Sequence, residues 1–326
     1  MQNRFTLRRR MVLAAPSLLL AGRRAQAQAL PSGTIRLVVG FAAGGGIDAF
    51  SRIVARGASQ RTGQPFVVEN RTGASGTLAA VAVARSAPDG RTVFVADSGS
   101  MTITADIMLR PPLDPQRELA PIMLAVHSPQ VLVTRSGAIA NFPALLDAAR
   151  KEPGKLTYAS AGAGNATHLM IADFARRAGV EFTHVPYRGG GQMATSVLSG
   201  ETDICLLSLA SAVPHLRAGT LIALAVAAER ELPELPEVPT ILSVVPGAQA
   251  RAFWYGLNVP AETPPALVAA LHDVFHAALT APETRAAFEP LGIQVVASSP
   301  EAYAAFLRVE TIRRSEMARA AGIVPE

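Results

Sequence analysis

Cysteine is nearly absent from this chain of 326 residues. Cys205 stands alone, so no intramolecular disulfide can form. Its place in the apolar run Asp203-Ile204-Cys205-Leu206-Leu207 reads as inert packing inside a buried strand. The histidines His168 and His184 have no Cys, His or Asp partner at ligand spacing, which argues against zinc; no metal or cofactor is expected. No lysine follows either glycine-rich loop, which removes a P-loop, and no Gly-x-Ser-x-Gly elbow is present. Gly162-x-Gly164 lacks the third glycine of a dinucleotide fingerprint, since Thr167 stands there. Aromatic residues make up 5% of the chain and are scarce near the loops, which disfavours a stacked aromatic ligand. No stretch reaches the length of a transmembrane helix.

Net basicity is another absence, hidden by the N-terminus. Arg4, Arg8, Arg9 and Arg10 precede the apolar run 11–22, and Ala25-Gln26-Ala27 follows as a small-residue cleavage site. Residues 1–29 therefore read as a secretory signal peptide, with cleavage after Ala27 or Ala29 and either general or twin-arginine export open. Removing its six arginines takes Lys and Arg from 30 to 24 against 25 Asp and Glu. The exported chain is then close to neutral, which leaves no polyanion-binding surface and no nucleic-acid partner. The expected location is the periplasm. About 297 residues follow the leader, enough for two domains with cores of their own.

What the chain does have is a strand, glycine loop and helix pattern, stated twice with unusual force. The first runs from 35–39 through Gly40-Phe41-Ala42-Ala43-Gly44-Gly45-Gly46 to a helix opening near Asp48 and reaching about residue 60. The second runs from 156–159 through Ser160-Ala161-Gly162-Ala163-Gly164 to a helix over 166–178 opening near Asn165. Unpaired N–H groups and the positive end of the dipole make such helix starts anion cradles. Further strands are expected at 66–69, 92–96, 122–125, 131–134, 182–185, 204–207, 221–225, 252–259 and 293–296. Helices are expected between them, ending near Ser86, Lys151, Ser199 and Arg217, with a short one after Ser100 and three in the tail. His127-Ser128-Pro129 reads as a loop, and 282–291 as one helix. This alternation indicates a parallel α/β architecture. It divides into lobe one, 30–128 plus 253–326, and lobe two, 129–252. Two crossings, near 128–135 and 247–256, form a hinge, and the strand ends face a shared cleft.

In order along the chain, several motifs resemble the Bug-type extracytoplasmic solute receptors of tripartite tricarboxylate transporters. They are Gly44-Gly45-Gly46-Ile47-Asp48, Val68-Glu69-Asn70-Arg71-Thr72-Gly73-Ala74-Ser75-Gly76 and Ala87-Pro88-Asp89-Gly90. Tyr158-Ala159-Ser160-Ala161-Gly162 with His168, His184-Val185-Pro186-Tyr187-Arg188-Gly189 and Pro236-Glu237-Val238-Pro239-Thr240 follow, then Trp254 with Gly256 and Pro260. Ala42, Ala43 and Ile47 depart from the pattern, which has prolines and threonine there. The resemblance implies a two-lobed periplasmic-binding-protein fold, type II-like. It further implies capture of a small organic carboxylate, largely by backbone amides, and delivery to the membrane permease subunits of a tripartite transporter.

The candidate ligand contacts are Ala43, Gly44, Gly45, Gly46 and Asp48 in the first loop, Ser98 at another strand end, and Ser160, Ala161, Gly162, Asn165, Ala166, Thr167 and His168 in the second. Tyr187, Arg188 and Asp203 complete the set. Each has a plainer reading beside it. Asp48 suits a helix start that satisfies N–H donors, His168 a bond within its lobe, Arg188 a solvated rim, and Asp203 a local cap. Cys205, His184 and Trp254 are read as structural. A binding protein is expected, not an enzyme, and a monomer, since a clamp must open. Presentation of ligand to a membrane sensor kinase is the alternative consequence of binding, and an exported hydrolase built on Ser98 or Ser100 the more distant one.

Overall fold

The computed structural model describes residues 30–102, 108–248, 252–320 and 322. The leader over 1–29 and most of the short helix expected after Ser100 lie outside them. Strand β1 (Ile35–Val39) runs into helix α1 (Gly46–Thr62), then β2 (Phe66–Asn70), α2 (Thr77–Ala84), β3 (Thr92–Asp97) and β4 (Leu119–Ser128). The second run is β5 (Gln130–Arg135), α3 (Phe142–Lys151), β6 (Thr157–Ser160), α4 (Ala166–Ala178), β7 (Thr183–Pro186), α5 (Gly190–Ser199), β8 (Ile204–Ser208), α6 (Leu209–Arg217) and β9 (Leu221–Ala227). The chain closes with β10 (Phe253–Pro260), α7 (Pro265–Thr280), α8 (Pro282–Phe288), β11 (Gln294–Val295) and α9 (Pro300–Ala320).

These strands form two sheets, in the orders β11-β4-β10-β3-β1-β2 and β7-β6-β8-β5-β9. β1 pairs in parallel with β2 and β3, and β6 with β7 and β8. The expectation of a parallel architecture needs correcting at the crossings. β10 is antiparallel to both β3 and β4, and β5 to both β8 and β9. The register gives the reason. Gln130, the first residue of β5, pairs with Ser208, the last of β8, and Tyr255 near the start of β10 pairs with Asp97, the last of β3. Each crossing strand enters its sheet at the edge where the parallel strands finish, so it must run against them.

Pro129 alone separates β4 from β5, because His127 and Ser128 extend β4 instead of forming a loop. Alternating burial fails on β3, β5, β8 and β10 because helices or loops cover both faces; β3, β8 and β10 are buried throughout. The single helix expected over 282–291 ends at Phe288 and tightens into a 3₁₀ turn over Glu289–Leu291, at Pro290.

The first sheet is covered on one face by α1 and α7, on the other by α2 and α9. Phe50 of α1 is fully buried, its ring 5.3 Å from Tyr255 and 5.9 Å from Phe288. Phe66 meets Phe275 edge to face at 5.8 Å. In the second sheet unit Phe142 of α3 and Phe174 of α4 meet at 6.1 Å over Leu132, Ile204 and Leu206. The tail helix α9 does more than cover its own sheet. Its last turn, through Met317 and Ala318, packs on Leu169 of α4 in the other unit.

Phe50 joins α1, β10 and α8 in one apolar contact, so removing its ring leaves a cavity where three elements meet. Phe50→Ala is expected to destabilise the protein by about 3–5 kcal/mol, read by chemical denaturation. A loss below about 1 kcal/mol would contradict this packing.

Candidate functional site

Four helices begin where the two sheets face each other, because each follows a strand that ends at that edge. α1 starts after Gly45 and α5 after Gly189, and neither cap residue has a side chain to bond the first-turn N–H groups. α4 is capped by Asn165, which accepts from Thr167 N–H, and α6 by Ser208, which accepts from Ser211 N–H. The two uncapped ends touch. A Cβ on Gly45 would lie 3.5 Å from Gly190 N, and one on Gly190 would lie 3.5 Å from Gly45 Cα. Gly46 is tighter still: a Cβ there would overlap Ser208 Oγ and Cβ and approach Tyr255 Oη to 3.1 Å. A methyl group would make ordinary contact at Gly45 and Gly190, whereas at Gly46 only glycine fits without displacing Ser208.

Hydrogen bonds join the same edges. Ala42 N–H donates to Arg188 O at 3.1 Å, Ser75 Oγ to Ala163 O at 2.9 Å, and Asn165 Nδ2 to Asp97 Oδ2 at 3.4 Å. Between them lies a chamber of about 60 Å³, room for roughly four waters. Gly45, Gly46, Asn165, Thr167, Gly190 and Ser208 bring all four helix starts to its wall. Phe41, Ile47, Met193, Leu206, Leu207 and Phe253 supply an apolar surface, and Asp97, Gln130 and Tyr255 add polar groups. Among the described residues lining it there is no lysine, arginine or histidine. The positive charge on its wall is the partial charge of the helix starts, about half an elementary charge each, set against the carboxylate of Asp97.

The sequence-derived candidates divide among three places. Gly45, Gly46, Ala161, Asn165 and Thr167 line the chamber, and Ser98 and Ala166 are buried beside it. Ala43 and Gly44 form the rim, where a Cβ on Gly191 would come to 3.0 Å of Ala43 O. Arg188 joins the units by its carbonyl, while its side chain is exposed. Tyr187 donates its N–H to Ser160 O and packs its ring on the apolar core. Asp48 turns away: its carboxylate accepts from Gly44 N–H at 3.1 Å, Arg52 Nη2 at 2.9 Å and Asn70 Nδ2 at 3.0 Å. Burial alone would raise its pKa, but these donors hold it below the usual value. Asp203 is set apart, at the opposite end of β8 from Ser208, accepting from Thr157 N–H and Oγ1.

The second loop departs from the simple cradle. Its amides are already paired: Ala161 N–H with Thr167 Oγ1, Gly162 N–H with Ser160 Oγ, and Gly164 N–H with His168 Nδ1. Behind it the His168 and His184 rings stack at 4.0 Å and 4°, against Tyr158, and Ser160 Oγ lies 2.6 Å from His184 Nε2. Burial, with His184 adjacent, pushes His168 down to about 4, and burial lowers His184 as well. Both rings are therefore neutral at pH 7, as the Gly164 bond requires of His168.

Sequence reasoning missed Asp97, Gln130, Gly190, Ser208, Phe253 and Tyr255. Each is the first or last residue of an element, or close to it; all but Gly190, which opens α5, lie on a crossing strand or its neighbour. The register of β5 and β10 is what brings the other five together. The Ser98-Gly99-Ser100 turn was the nearest signal, one residue beyond Asp97. Among the described residues no group of His, Cys, Asp and Glu is arranged to hold a metal ion, and no helix is long and apolar enough to cross a membrane.

The model of the tripartite tricarboxylate transporter family receptor matches residues 50–323. The UPF0065 protein in the tcbD-tcbE intergenic region of Pseudomonas sp. (strain P51) is 36% identical, over 94% of this chain and 92% of its own. The solved structure of the periplasmic binding protein BugD superposes with a TM-score of 0.87 at 27% identity, covering 91% of this chain and all of that one. Rpa4515 of R. palustris with adipate gives a TM-score of 0.87 at 30% identity, covering 91% and 99%. These neighbours are receptors, not enzymes.

The histidine stack gives the receptor a sign for its pH dependence. An unfolded His binds its proton near pH 6.5, while folded His168 resists until about 4. The stabilisation is complete above 6.5 and is lost as pH falls from there towards 4. Denaturation midpoints measured at pH 7.5 and 4.5 should differ less in His168→Gln than in the wild type. Equal differences would show that the stack does not titrate this way.

Proposed function

Because the chain belongs to the tripartite tricarboxylate transporter receptor family, we propose that it captures a small carboxylate in the chamber between its two lobes and delivers it to the transporter's membrane permease. Family members are periplasmic solute-binding receptors, and the leader-like residues 1–29 fit export of this chain to the same compartment. Lobe one is taken as 30–128 plus 253–326 and lobe two as 129–252, acting as a monomeric clamp.

One observation carries the reading: the uncapped starts of α1 and α5, one from each lobe, meet at Gly45 and Gly190. Two positive dipole ends brought together repel, and an anion placed between them turns that repulsion into attraction. Closure and carboxylate binding are then one event. The ligand shifts the clamp only by its differential affinity for the closed form. Adipate in the Rpa4515 structure supports the ligand class. The chamber here is tighter than a six-carbon diacid needs, which favours a shorter acid or a slightly wider closure.

Two measurements test this. A thermal-shift panel of mono-, di- and tricarboxylates, amino acids, sugars and metal cations should give a stabilising shift with carboxylate-bearing ligands alone. At one hundred times Kd the gain is about 2.7 kcal/mol. A response confined to sugars or cations would refute the ligand class. Gly46→Ala should still fold, since alanine suits a helix start, yet disfavour the closed arrangement and weaken ligand affinity at least tenfold because the methyl group overlaps Ser208. Undiminished affinity in that variant would argue against closure at this point.

A further inference from the structure

We infer that Asp97 selects the ligand, and that the preferred acid carries an ammonium group: an amino acid or related zwitterion, in preference to a plain dicarboxylate. This rests on the receptor reading above and adds to it the chemistry of the ligand's second end.

Asp97 is the one carboxylate among the described residues of the chamber wall, and it is 6% exposed. Its position follows from the fold. It closes β3 at the edge where the strands finish, directly across from Tyr255. Its hydrogen bonds come from neutral donors, Ser100 N–H at 2.9 Å and Asn165 Nδ2 at a long 3.4 Å. The buried guanidinium of Arg314 attracts Asp97 electrostatically, but the residue it approaches within ion-pair distance is Glu310, Oε2 at 3.6 Å, and it lies over the Phe253 ring. A carboxylate shut away from water without a cation in ion-pair reach is costly. A ligand that brings its own positive charge removes that cost.

The chamber is thus polar in two senses. The helix starts at Gly45, Gly46 and Gly190 favour a negative end. Asp97 favours a donor, and beside it Gln130, its amide nitrogen committed to Ser128 O, has its amide oxygen as an acceptor. A second ligand carboxylate placed against Asp97 would add like-charge repulsion in a low dielectric, whereas an ammonium finds its counter-ion there. Asn165 reinforces this dependence on closure. It belongs to the second lobe and reaches Asp97 across the gap, so the acidic wall is assembled only when the lobes meet.

The test uses matched pairs that differ only by the α-ammonium group: succinate with aspartate, glutarate with glutamate, adipate with 2-aminoadipate. Titration calorimetry on the wild-type receptor at pH 7.5 should find the amino form at least tenfold tighter in any pair that binds. Asp97→Asn should cut that preference at least tenfold by weakening the amino form and strengthening the dicarboxylate, with folding checked by circular dichroism and melting temperature. Dicarboxylates binding as tightly as their amino partners in the wild type would overturn the assignment, even if the variant failed to fold. A preference unchanged in a folded Asp97→Asn would overturn it equally. Failure of every carboxylate, amino or plain, would instead overturn the receptor reading beneath it.

Discussion

Two helix starts that would repel each other are held in contact. α1 and α5 come from different sheets, neither has a side-chain cap, and glycine at both ends allows main chain to lie against main chain. The rest of the chamber is ordered around this constraint. Basic side chains are not needed where four helix ends converge, and among the described lining residues there are none. The field they create is local and short-ranged, which suits a chain whose residues beyond 29 carry almost no net charge.

The constraint is met by the way the chain crosses between sheets. With Pro129 the one residue between β4 and β5, the crossing strand has no room to reverse before it pairs. It enters the second sheet at the edge where β6 and β8 end, and β10 enters the first sheet in the matching way. A single topological rule therefore yields the mixed sheets, the placement of Gln130 and Tyr255, and the gathering of helix starts on one rim. The bonds across that rim are few and mostly neutral, so the arrangement can be undone without breaking ion pairs such as Arg313–Glu310 or Arg177–Asp173, which each lie inside one unit.

How much of this was legible in the sequence depends on the range of the interaction. Glycine loops, helix stops and strand positions are local, and most were readable: Gly45 and Gly46 at the start of α1, Asn165 as the cap of α4, Gly179 and Gly200 as left-handed stops. Asp48 was readable as a helix-start residue, although its partner is Gly44 N–H, outside the helix. The second loop was misjudged in detail, because whether an amide is free depends on Thr167 and His168 folding back on it. Asp97, Ser208 and Tyr255 were invisible for a different reason. Each is an ordinary strand-end residue until the register of two distant strands is known. Gly190 sits in a run of three glycines, a local signal that does not say which helix start α5 will meet.

The tail helix α9 adds a third joint to the two strand crossings, through Met317 and Ala318 on Leu169. Bodies fastened at three points off a common line cannot swing freely; one fastening has to slip. The strand crossings are covalent and cannot. The apolar seat under Met317 has no directional bond to break, and a thioether can change rotamer while keeping its contacts. An opening of the two units would therefore shear at the tail as well as bend at the strands. Part of the resistance to such a movement would then lie in an apolar contact of Leu169, Met317 and Ala318, none of which lines the chamber.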